Sequence, residues 1–127
     1  MKSIFKYALL AVGMAVTMSS CYEDVIAPGS DPDGPPQAVS FNLDLAPIFK
    51  ANCGTDDGCH TQGDHKPFLD NLEQSYVNIK SGGFVNTVVP KESILYKQIN
   101  GSMAEYIPSK ADRQKVFDWI RNGAPNN

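Results

Sequence analysis

The sequence predicts an all-α fold of about four short helices, set behind a disordered tether. Between residues 44 and 122, four stretches repeat apolar side chains at helical i, i+3, i+4 spacing. Glycine, proline and capping residues separate these stretches. No strong strand pattern competes with them, and only Phe84 to Val89, a β-branched run, is ambiguous. No internal repeat is visible.

The N-terminal region comes first. Met1-Lys2-Ser3-Ile4-Phe5-Lys6 is basic, and Tyr7 to Met18 follows without a charge, as in the n- and h-regions of an export signal. The run is shorter than the roughly 18 to 20 apolar residues that a membrane-spanning helix needs. Met18-Ser19-Ser20-Cys21 resembles a lipobox, which implies a signal peptide over residues 1–20 and lipidation of Cys21. The plainer reading is an ordinary export signal with a stray cysteine. Residues 21–38 are rich in Pro, Gly, Asp and Ser and bury too little apolar surface to offset their ordering entropy, so they are expected to form a flexible tether. Tyr22-Glu23-Asp24 resembles the surface-export signal of Bacteroidota-type lipoproteins. The expected location is therefore the bacterial cell envelope, as an outer-membrane lipoprotein exposed at the surface and held to the membrane by lipid on Cys21.

The folded domain is expected over residues 39–127. Asp44 is a candidate N-cap, Pro47 an early-turn proline, and Leu45, Ile48 and Phe49 an apolar face, so helix one runs to Asn52 and delivers the chain to Cys53. Gly54 to Pro67 holds glycines, proline and aspartates and is expected to be loop. Leu72, Tyr76 and Ile79 share a face in helix two, which stops at Ser81-Gly82-Gly83. Pro90 precedes helix three, Lys91 to Ile99, with Gly101 as its stop signal. Ser109-Lys110-Ala111-Asp112 resembles a capping box for helix four. Val116, Phe117 and Ile120, with Trp119 beside them, form that helix's apolar side, and Asn122-Gly123 ends it.

Charge and size narrow the function classes. The whole chain carries 11 basic and 14 acidic residues. Loss of Lys2 and Lys6 with the signal leaves a net charge near −5, which argues against nucleic acid as a partner. A domain of this size is marginal on a hydrophobic core alone and gains from a covalent staple or a large apolar cofactor. Of the three cysteines, Cys21 belongs to the lipid signal, which leaves Cys53 and Cys59 as a pair in an oxidising compartment.

The chemistry concentrates in Cys53-Gly54-Thr55-Asp56-Asp57-Gly58-Cys59-His60. Covalent haem attachment needs two thiols for two vinyl groups and a histidine directly after the second thiol, under the iron. Cys59-His60 supplies the second half of that pattern, with five residues between the cysteines where two are usual. Two other readings stay open on the residues alone. Cys53 and Cys59 can close a short loop as a disulfide worth about 2 kcal/mol, with His60 a plain loop residue. Alternatively, Cys53, Cys59, His60 and His65 can be weighed as zinc ligands, although adjacent Cys59 and His60 suit one tetrahedral ion poorly. Asp56 and Asp57 lack regular ligand spacing and read as solvated loop. Trp119, Phe117 and Tyr106 can stack on a cofactor or fill the core. No nucleophile motif, phosphate loop or basic patch is present.

From about Leu43 onward the chain resembles the small cytochrome c domains of exported Bacteroidota and Planctomycete proteins. The resemblance rests on Leu45-Ala46-Pro47-Ile48-Phe49 before the first cysteine, on Cys59-His60 and on Ser93-Ile94-Leu95-Tyr96 before Ile99. It continues through the closing Trp119-Ile120-Arg121-Asn122-Gly123-Ala124-Pro125. It implies a cytochrome c-like fold in which the first and last helices cross beside one haem c, attached through Cys53 and Cys59 with His60 as axial iron ligand. The family's second ligand is a methionine directly before a proline. Here that place reads Ile107-Pro108, and Met103 is the nearest methionine, the candidate second axial ligand or else a gap-filling core residue. The implied function is electron transfer with redox partner proteins, a carrier rather than an enzyme. The alternative is a haem-free surface binding or accessory module of the same helical fold, stapled by a Cys53-Cys59 disulfide.

Overall fold

The computed structural model describes residues 31–56 and 59–127. The expected signal peptide, Cys21, Asp57 and most of the expected tether lie outside the described residues. Four α-helices form the domain: α1 (Ala46–Cys53), α2 (Leu72–Ser81), α3 (Ile94–Ile99) and α4 (Lys110–Arg121). A π-helical turn, Phe41–Leu45, runs directly into α1, and a 3-10 turn, Pro90–Glu92, precedes α3. There is no strand among the described residues. None of the described helices is long and apolar enough to cross a membrane.

The helical path into the cysteine region starts earlier than Asp44. Ser40 is the N-cap, its hydroxyl accepting from the Leu43 amide at 3.2 Å. The Asp44 carboxylate reaches back to accept from the Ser40 amide at 2.8 Å. Each side chain thus satisfies an amide that the helix start leaves orphaned. Starting at Phe41 puts Phe41, Leu45 and Phe49 at four-residue steps, and all three are fully buried. The C-terminus locks this start, since the Asn127 carbonyl accepts from the Asn42 amide at 2.9 Å and from the Ser40 hydroxyl at 2.8 Å.

Helix α3 is shorter than expected. Ser93 has extended backbone angles (φ −58°, ψ 129°) and is buried, with its hydroxyl accepting from the Asn86 amide at 2.9 Å. That bond ties the Phe84–Val89 segment to the start of α3 and splits the expected Lys91 to Ile99 helix into a 3-10 turn and an α-helix. The Asn86 side chain accepts from the Val88 and Val89 amides, so the ambiguous β-branched run is a side-chain-capped loop.

The core is a cluster of aromatic rings sealed by aliphatic side chains. Phe41 lies 5.1 Å from Trp119 and 5.3 Å, edge-on, from Tyr76 between ring centroids. Trp119 is fully buried, and its indole N–H donates to the Pro125 carbonyl at 2.8 Å. Ile79, Val116 and Ile120 complete the cluster. Helix α4 therefore packs across the π-helical turn at the head of α1. Ser109 caps α4 as expected, accepting from the Asp112 amide at 3.2 Å.

The first described residues are held against α4. Asp118 is 1% exposed, and its carboxylate accepts from the Gln37 side chain at 2.9 Å, the Gln114 side chain at 2.8 Å and Arg121 at 3.2 Å. Arg121 also donates to the Pro32 and Gly34 carbonyls, and the Asn122 side chain donates to the Gln37 carbonyl at 2.7 Å. Residues 32–37 thus have no regular secondary structure but are anchored to the domain.

Candidate functional site

The site begins where α1 ends. Cys53 closes the helix, and Gly54 follows with its Cα pressed against the chain at Leu69 and Asp70. A Cβ at Gly54 would lie 2.6 Å from the Asp70 nitrogen and from the Leu69 carbonyl carbon. Only glycine permits this approach. Backbone bonds then fix the second half of the motif: the His60 amide donates to the Cys53 carbonyl at 2.9 Å, and the Leu69 amide to the His60 carbonyl at 2.6 Å. The Cys59 carbonyl accepts from the His65 amide at 3.3 Å. The loop after α1 is therefore tied at Cys53, Cys59 and His60 in turn.

The His60 ring is held as well. Nδ1 lies 3.1 Å from the Pro67 carbonyl oxygen. A carbonyl only accepts, so this contact assigns the proton to Nδ1 and leaves the Nε2 lone pair available to an electrophile such as a metal ion. Fixing the distal nitrogen by a backbone carbonyl is how proteins orient a ligating imidazole.

Cys53, Cys59, His60 and Met103 all line one cavity of about 450 Å³. Its walls include Phe49, Leu69, Phe84, Leu95 and Ile99, and its polar positions are Asn52, His65, Lys66, Gln98 and Tyr106. A size in the hundreds of cubic ångströms with mainly apolar walls and a few polar groups is that of a cofactor or small-molecule site. Met103 sits in the turns after α3, its amide donating to the Gln98 carbonyl at 2.9 Å. It is 37% exposed, which is not the burial of a core gap-filler.

The two cysteines are free thiols. Burial, with the neighbouring Cys59 second, pushes the Cys53 thiol from 9.0 up to about 11, so at neutral pH it is protonated and a poor participant in thiolate exchange. Among the described residues, no three His, Cys, Asp or Glu side chains converge as a metal-ion ligand set. The zinc reading of Cys53, Cys59, His60 and His65 therefore lacks its geometry.

The aromatic candidates divide. Tyr106 lines the cavity, whereas Trp119 and Phe117 do not. Trp119 is core, and Phe117 is buried against Tyr96, 4.4 Å between ring centroids, with the Arg121 guanidinium 5.4 Å from its own ring centroid. Asp56 is exposed loop. Sequence reasoning missed the Pro67 carbonyl and Lys66 as parts of the site. A proline soon after Cys-His was visible as punctuation, but its carbonyl becomes a partner of His60 only once the loop folds back.

Comparisons of the chain with protein-family models, with curated proteins and with solved structures find no match.

Proposed function

We propose that this chain is a c-type cytochrome domain, a one-electron carrier holding one haem c through thioether bonds from Cys53 and Cys59. His60 would hold its iron, and Met103 would supply the second protein ligand. The observation that carries the reading is the convergence of these four side chains on one mainly apolar cavity, with the His60 Nδ1 committed to the Pro67 carbonyl. The donor set fits the group: two unbonded thiols, an imidazole with its Nε2 free and a thioether sulfur are the attachments and ligands that haem c uses. When bound, haem supplies the one-electron iron couple.

The remaining work falls to the chain. His60 is kept in one tautomer and one ring orientation by Pro67, which makes its Nε2 a better electron donor. The Met103 thioether favours the reduced state relative to a second imidazole. Phe49, Leu69, Leu95 and Ile99 give the cavity an apolar wall, and apolar surroundings raise the cost of the extra positive charge of the oxidised state. The proposal includes export as a lipoprotein: the signal over residues 1–20 directs the chain to the cell envelope, and lipid on Cys21 holds it at the outer membrane, where it meets redox partner proteins.

The experiment is mass spectrometry of a protease digest of the mature protein from its own host. The expected product is a peptide spanning Cys53 to His60 that carries one haem and resists alkylation at both cysteines. The same peptide, free of haem and two hydrogens lighter than its dithiol, would replace the cytochrome with the disulfide-stapled module.

A further inference from the structure

Among its described lining residues, the cavity carries basic side chains and no acidic one. The chain has 14 acidic residues, yet none of those described lines the cavity, while Lys66 and His65 both do. Described acids of the same loop have partners of their own: Asp70 accepts from the Gln62 amide at 3.1 Å, and Asp64 from the Thr61 hydroxyl at 2.7 Å. Lys91, Lys97 and Lys115 pair with Asp33, Glu92 and Asp112, and the lysines that do not, Lys50, Lys80 and Lys110, are not among the residues that line the cavity. Lys66 has no ion-pair partner among the described residues.

An apolar cavity whose described lining holds a cation without an ion-pair partner and no acidic side chain favours a ligand that is itself apolar and carries negative charge. We infer that Lys66, with His65 beside it, receives the carboxylates of the ligand this cavity takes. The inference rests on the haem reading, since haem is a flat apolar body bearing two propionates. Lys66 directly precedes Pro67, whose carbonyl holds His60. A carboxylate bound at Lys66 therefore tethers the same short segment that orients the axial ligand, which makes Lys66 a positioning residue as well as a counter-ion.

The test uses holoprotein with isotope-labelled haem carboxylates, comparing wild type with Lys66→Gln, Lys66→Arg, His65→Gln and, as a control outside the cavity, Lys97→Gln. The readouts are the labelled carboxylate bands in oxidised-minus-reduced infrared spectra and the reduction potential. Lys66→Gln is expected to shift the bands and lower the potential, because loss of a nearby cation favours the more positive oxidised iron. Lys66→Arg should restore both to near wild type, His65→Gln should shift the bands less, and Lys97→Gln should move neither.

Unshifted bands in both Lys66→Gln and His65→Gln would overturn the inference and leave the haem reading standing. So would equal drops in potential for Lys66→Gln and Lys97→Gln without a band shift, since that is a general field effect. A wild-type protein without haem would overturn both.

Discussion

His60 lines the cavity with its ring held because the Pro67 carbonyl accepts a hydrogen bond from Nδ1, and Met103 lines the same cavity. With haem bound, Met103→Ala is expected to change the absorption of the reduced form and to lower the reduction potential. An unchanged spectrum and potential would remove Met103 as the ligand. Cys53 gives a prediction for the chain made without haem. Its thiol ionises near pH 11 when folded, against 9.0 for an ordinary thiol, mainly through burial. Alkylation of Cys53 should therefore keep rising about tenfold per pH unit beyond pH 9; a plateau at pH 9 would contradict the burial. The folded state holds the proton longer than the unfolded one, so this group's share of stability is intact below about pH 9 and is lost as pH rises towards about 11. Gly54 is the third such residue. Gly54→Ala forces a Cβ to within 2.6 Å of the backbone at Leu69 and Asp70, and should cost about 1 to 3 kcal/mol in denaturant unfolding.

Among the elements, α4 carries the most. It buries Trp119 in the core, and through Asp118 and Arg121 it binds residues 32–37. Asp118→Ala removes the one carboxylate that accepts from Gln37, Gln114 and Arg121 together. It is expected to lower the unfolding free energy by about 3 kcal/mol and to speed amide exchange at Gln37, which donates to Asp118 at 3.2 Å. Unchanged stability and exchange would mean that the segment is not bound in solution. The helices themselves were legible where pattern and punctuation agree: Leu72, Tyr76 and Ile79 before Ser81-Gly82, and Ser109 before the Val116 to Ile120 face. What was not legible depends on distant partners. Asp44 reads as an N-cap locally, but Ser40 takes that place once Asn127 comes to its side. Ser93 looks like ordinary helix until its hydroxyl is claimed by Asn86. The candidate site followed the same division. Cys53, Cys59 and His60 were readable from local order, and Met103 from its place before the last helix. Lys66 and Pro67 gained their relation to the site only from the way the loop returns from Cys59 to Leu69.

At the scale of the molecule, the fold separates two tasks. The Phe41, Tyr76 and Trp119 cluster, joined to α4, holds the chain together. The end of α1, the loop after it, Phe84, α3 and the turns to Tyr106 line the cavity without a residue of α4. A small domain with a compact aromatic core can in this way leave a large apolar space beside that core, and filling it with a cofactor adds buried apolar surface that the chain alone lacks. The central claim is that the space belongs to a covalently attached haem that cycles by one electron. The most direct measurement is the absorption spectrum of the mature protein from its own host, oxidised and dithionite-reduced, with the intact mass taken after denaturation. The expected result is a Soret band, sharp α and β bands on reduction, and one haem of added mass that survives denaturation. A colourless protein, two hydrogens lighter than its reduced mass, would contradict it.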